Sequence, residues 1–121
     1  MTPPKVTAEI IPNPPDSFVL GPHHYRISTD ANEFNAVQVA ERTGLAGRHD
    51  PTSLTIHIEP VMVHDMRCST LLHELIHGIL YHGGITSELE KETEERICDS
   101  IAVLLLGVLR DNPDLVTYLT A

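Results

Sequence analysis

The sequence predicts a single α+β domain, with short strands ahead of one largely buried helix and a second long helix after it. Three patterns predict this. Leu54, Ile56 and Ile58 alternate with Thr55 and His57, the two-residue period of a half-buried strand. Between Val61 and His82 the apolar residues Met62, Met66, Leu71, Leu72, Leu75, Ile76, Ile79 and Leu80 recur at steps of three and four around most of a helix circumference, so this helix is expected to be largely buried. Beyond Gly83-Gly84, Ser87 and Glu90 have the spacing of a capping box and open a second periodic run that reaches about Asp111, just before Asn112-Pro113.

The other elements follow in chain order. Residues 1–17 carry Pro3, Pro4, Pro12, Pro14 and Pro15, which exclude helix and interrupt sheet pairing, so they form a proline-rich segment ahead of a domain spanning 18–121. Within that segment only Val6 to Ile11 has the pattern of a short edge strand. Phe18-Val19-Leu20 and His23 to Ile27 read as a hairpin about Gly21-Pro22. Asn32 to Arg42 fits a short helix that stops near Gly44, where glycine accepts a left-handed cap. Leu45 to His49 faces Leu54 to Ile58 across the turn signal Asp50-Pro51-Thr52-Ser53. Asp114 to Tyr118 adds a last helical turn.

Composition narrows the function. The chain has 121 residues, 41% of them apolar but only 4% aromatic and none of them Trp, so its core is mostly aliphatic. Seventeen acidic against eight basic residues give a net charge of -9, which repels nucleic-acid phosphates and anionic membrane surfaces; neither is an expected partner. No apolar stretch is long enough to cross a bilayer and the start lacks a secretory pattern, so a cytoplasmic location is the default expectation. In that compartment Cys68 and Cys98 are expected to be free thiols acting as small core residues.

The chemistry centres on His73-Glu74-Leu75-Ile76-His77. Histidines four apart on a helix project from one face about 5 to 6 Å apart, and both imidazoles reach one ion. Glu74 lies too far round to share that role easily; it is placed to take a proton from an attacking water and pass it to a leaving amine. Apart from Glu74, no charged residue occurs from Ser69 to Ile85, so the imidazoles sit on an apolar helix where a metal ion would satisfy nitrogens otherwise left unpaired.

A catalytic zinc takes three protein ligands and keeps one position open. A histidine six residues beyond His77 would complete one known arrangement, but position 83 is Gly and His82 falls one short. The next helix offers Glu88, Glu90, Glu92, Glu94 and Glu95. Glu95 lines up with Cys98, Ala102, Leu106 and Leu109, whereas Glu94 lines up with Ile101, Leu105 and Val108, and periodicity does not choose between them. Asp99, one turn after Glu95, favours Glu95. Two carboxylates on one face repel unless cations or donors separate them, as zinc at Glu95 and a ligand-histidine N–H at Asp99 would do, with His73 the expected partner of Asp99. Glu94 and Glu92 remain the alternatives.

These segments resemble the gluzincin class of zinc peptidases, in which His-Glu-x-x-His is followed on the next helix by Glu-x-x-x-Asp, here Glu95 to Asp99. More narrowly, Leu45-Ala46-Gly47, Leu54 to Ile58, Leu71 to Leu80 and Glu94 to Leu109 are similar to the small phage and mobile-element proteins of the ImmA/IrrE group, a likeness that covers residues 18–119. The resemblance implies a zincin-like α+β fold with a small antiparallel sheet packed on the active-site helix, a Zn2+ cofactor, and a protein or peptide substrate lying along an edge strand, a role carried to Leu54–Ile58. It includes no DNA-binding domain, so repressor cleavage is not carried over.

The leading expectation is therefore a zinc peptidase with ligands His73, His77 and Glu95, base Glu74, and Asp99 orienting a ligand. The alternative is a zinc-stabilised binding module of the same fold, and a third reading is a helical interaction module in which the motif is accidental. Tyr81, one turn after His77, is a packing residue or a stabiliser of the tetrahedral oxyanion, and His64 and His82 have the same two readings. His23, His24, His49 and His57 are expected to lie on the surface or in strands without a metal role.

Overall fold

A computed structural model of the chain describes residues 13–41 and 46–121. The Val6–Ile11 strand, the stop at Gly44 and Leu45 of the predicted strand lie outside these residues. Among the described residues the order is β1 (Ser17–Leu20), β2 (His23–Ser28), α1 (Ala31–Glu41), β3 (Gly47–Asp50), β4 (Thr55–Ile58), α2 (His64–His82), α3 (Lys91–Asp111) and α4 (Pro113–Leu119).

The α+β class is as the sequence predicts, but the sheet is mixed rather than antiparallel. Its strand order is β1-β2-β4-β3. β1–β2 and β3–β4 are antiparallel hairpins, whereas β2 and β4 run parallel, with Ile27 opposite Ile56. The cause is α1, which carries the chain from the end of β2 back over one sheet face before the second hairpin begins; a parallel pair needs such a crossover. A second correction follows from the same topology. β4, the segment Leu54 to Ile58, is an inner strand and cannot lie along a substrate; the edge on that side is β3.

Local chemistry accounts for the turns. Gly21 takes a left-handed φ of 59° in the first hairpin, which glycine adopts without steric cost. Asp50 Oδ1 accepts bonds from the Thr52 N–H at 3.0 Å and the Thr52 hydroxyl at 2.6 Å, fixing the second hairpin. At the end of α2, Gly84 has φ 76° while the Ile85 N–H reaches back to the Leu80 carbonyl at 2.8 Å, a Schellman closure. The predicted capping box is not formed. Thr86–Glu88 is a short 3-10 turn, Leu89 is extended, and α3 opens one step later with Glu90 as an N-cap that makes no side-chain bond.

Two apolar clusters meet on α2. Leu71 and Leu75 pack on the sheet residues Tyr25, Ile27, Ile56 and Ile58, while Leu72, Ile76 and Leu80 pack with Cys98 and Ala102 of α3. Phe34 of α1 is buried, and Arg26, Ser28 and Glu33 bond across the face of the sheet away from α2. The helix is less buried than its periodicity predicts: only Glu74, Ile76 and Gly78 are fully covered, and Met66, Ile79 and Tyr81 are about half exposed. The sheet and α3 cover two sides of the helix, and His73 and His77 lie where those two partners meet, their side chains only 17% and 12% exposed. Both cysteines are free thiols; Cys98 is buried and Cys68 only partly so. No described helix is long and apolar enough to cross a membrane.

Candidate metal centre

His73 and His77 point from α2 toward α3, their Nε2 atoms 3.1 Å apart. Glu95 meets them there, with one carboxylate oxygen 3.2 Å from His73 Nε2 and the other 2.9 Å from His77 Nε2. On the opposite edges of the rings, His73 Nδ1 lies 2.9 Å from Asp99 and His77 Nδ1 lies 2.6 Å from Glu94. Small residues allow this approach, since Cys98 and Ala102, both buried, form the wall where α3 contacts α2.

The protonation pattern follows from these contacts. A neutral imidazole has one N–H, and a carboxylate at Nδ1 draws it there. Both Nε2 lone pairs then face each other and the Glu95 oxygens, an arrangement of acceptors without a donor that a cation resolves. Two nitrogens each about 2.0–2.1 Å from one tetrahedral ion stand roughly 3.3 Å apart, close to the separation found. The donor set thus fits a divalent metal. The ligand-capable atoms of His73, Glu74 and His77 lie within 4.8 Å of one another, as do those of His73, Glu95 and Asp99.

Glu74 faces the same point from the sheet side, 3.9 Å from His73 Nε2, and is nearly buried. Burial pushes its carboxyl above the ordinary range, opposed by the neighbouring His77 and His73. A cleft opens on either side. One lobe, about 430 Å³, is bounded by Ser69, Thr70, Asp99 and Val103; the other, about 340 Å³, by His49, His77, Tyr81 and Lys91. Gly47, Glu74 and Glu95 line both, so the metal position sits where the lobes join under β3.

The structure therefore brings together His73, Glu74, His77, Glu95 and Asp99 at the predicted site. Of the alternatives for the third ligand, Glu94 reaches the far nitrogen of His77, and Glu92 is exposed. Tyr81 stands at the cleft on the His77 side, about half exposed. His64 lies elsewhere on α2, 3.4 Å from the Cys68 sulfur, and His57 is buried in β4 on the face toward α1. Sequence reasoning missed two contributors. Glu94, an alternative ligand in the sequence, instead holds the far edge of the His77 ring, a place its alignment with the apolar stripe of α3 also suits. His49 lines the cleft, and nothing in a four-residue strand marks it for that role. No family model, curated protein or solved structure matches the chain.

Proposed function

We propose that the chain is a zinc-dependent peptidase in which His73, His77 and Glu95 hold the metal and Glu74 is the general base. The observation that carries this reading is the convergence of two Nε2 atoms and one carboxylate on a single point, with a separate buried carboxylate facing it across a cleft. Zinc bound there would supply Lewis acidity, polarising a carbonyl and making water easier to deprotonate.

The chain's own groups do the rest. β3 offers an edge to which an extended peptide adds as a further strand, setting its carbonyl over the site. Glu74, its proton affinity raised by burial, takes the proton of the attacking water and delivers it to the departing amine. Tyr81, at the mouth of the cleft, is placed to donate its hydroxyl to the oxygen that becomes negative. Asp99 and Glu94 keep the ligand imidazoles in the tautomer that presents Nε2.

The experiment is elemental analysis of purified protein followed by digestion of an unbiased peptide library. About one zinc per chain, with cleavage abolished by chelation and restored by zinc, supports the proposal. Stoichiometric zinc with no peptide cleaved under any condition replaces it with the zinc-stabilised binding module.

A further inference from the structure

A second group of histidines lies behind the cleft. The buried hydroxyl of Tyr25, on β2, is 2.7 Å from Nε2 of His49 on β3 and 2.6 Å from Nε2 of His82, the last residue of α2. Tyr25 reaches His49 beneath the intervening strand β4, with ring centroids 5.6 Å apart. The His82 ring is held from outside by His23, stacked on it at 3.8 Å. The fit is close on the helix side as well: a Cβ at Gly78 would stand 3.3 Å from His49 Nε2, so glycine there leaves the ring its seat.

His49 matters because of where its backbone lies. The Glu59 N–H donates to the Ala46 carbonyl at 2.9 Å, which makes that pair hydrogen-bonded; Gly47–Ile58 and His49–Ile56 are then the non-bonded pairs of the ladder. The N–H and C=O groups of Gly47 and His49 accordingly point away from β4, to the edge where a peptide would add. The His49 main chain also hydrogen-bonds the Glu74 carboxylate, which joins the edge strand to the proposed base directly.

We propose that Tyr25 is a positioning residue: its hydroxyl, bonded at once to His49 and His82, clamps the edge strand to the end of the metal-bearing helix and so fixes the substrate strand relative to Glu74. This deepens the peptidase reading and rests on it for its effect on turnover, but the clamp has a signature of its own. A phenol has one proton. Between two imidazole nitrogens it donates to one and accepts from the other, so one ring carries Nε2–H and the other carries its proton on Nδ1. The two histidines are locked in opposite tautomers.

The test combines ¹⁵N spectroscopy of the imidazoles in zinc-loaded protein with steady-state hydrolysis of a peptide selected from the library. In the parent, His49 and His82 should show opposite neutral tautomers. Tyr25→Phe keeps the ring that stacks on Phe18 at 5.0 Å but loses the lock. Its zinc content should equal the parent's, KM should stay within about threefold, and kcat should fall about tenfold or more, because displacing a substrate slightly from its reactive placement costs rate rather than binding. His82→Leu should behave like Tyr25→Phe, whereas His82→Gln, whose amide can still bond to the phenol, should retain kcat within about threefold. Identical tautomers on the two rings of the parent overturn the clamp, as does a kcat for both Tyr25→Phe and His82→Leu equal to the parent's. If no peptide is cleaved, the peptidase reading fails and the tautomer measurement, which needs no substrate, decides the clamp alone.

Discussion

The carboxylate of Glu94 lies 2.6 Å from Nδ1 of His77, on the edge of the ring away from the metal position, and its side chain is only 13% exposed. A contact this short and this shielded from water sets the tautomer of the His77 ring. Glu94→Gln can accept the same N–H only through a neutral oxygen, and zinc affinity should fall about 10- to 100-fold. Competition with a chromogenic chelator measures it, with the exposed Glu92→Gln as control. Parent-like affinity in Glu94→Gln would leave Asp99 as the only orienting carboxylate.

Glu74→Gln should separate metal binding from catalysis. The substitution keeps shape in a nearly buried position and leaves His73, His77 and Glu95 intact. Zinc should therefore remain near one per chain while turnover falls by about 10² to 10⁴. Glu95→Gln should do the reverse, losing zinc first and regaining some turnover at high added zinc. Full activity in Glu74→Gln rules out the assigned base.

The extent to which the sequence disclosed this arrangement follows from the range of the forces involved. The motif on α2 and the Glu95–Asp99 pair on α3 were legible because helical periodicity fixes which residues share a face over one or two turns. Glu95 and Asp99 do fall on opposite edges of the His73 ring, as the repulsion between them implies. The parallel pairing of β2 with β4 was not legible, since it depends on how α1 crosses the sheet and on no local pattern. Mistaking β4 for the edge strand has the same origin. The capping box failed for a local reason: half-buried Leu89 takes an extended conformation between Ser87 and Glu90 and breaks the spacing the motif requires. The Tyr25–His49–His82 group joins residues up to 57 positions apart, beyond the reach of any spacing rule.

Zinc should stabilise the fold in proportion to its free concentration. The two histidines stand on α2 and the carboxylate on α3, so an ion bound by all three opposes their separation, and free zinc at about 100 times Kd adds about 2.7 kcal/mol. Melting in zinc-buffered solutions should show a midpoint that rises steadily with free zinc. A midpoint that does not move, with bound metal confirmed by analysis, would mean that the helices separate without losing the ion.

The second hairpin should respond to acid through Asp50. Bonds from Thr52 hold its carboxyl down at about 2, against an ordinary 3.8. A carboxyl lowered on folding contributes stability that is complete above pH about 4 and disappears as the pH falls through about 2. Asp50→Ala should therefore be less stable than the parent at neutral pH, and the difference should shrink between pH 4 and 2. Urea titrations of metal-free protein at several pH values check this; a constant difference would assign the loss to packing.

Gly47 is the position where the cleft tolerates least. It lines both lobes, and a Cβ there would lie 2.7 Å from Thr70 Cγ2, 3.0 Å from the His57 carbonyl oxygen and 3.2 Å from Glu74 Cγ. The first of these is the tip of a side chain, but the second is backbone of the paired strand β4 and cannot yield without disturbing the ladder. Gly47→Ala must then lift β3 from α2, at about 1–3 kcal/mol of stability, and carry the edge away from Glu74. Thr70→Ser removes the nearest obstacle and leaves the other two. The double variant should therefore recover part of the lost stability and less of the lost turnover, because the Glu74 contact persists. Chemical denaturation and peptide hydrolysis on the four proteins of this cycle measure the coupling. Simple additivity of the two substitutions would show that β3 does not rest on Thr70.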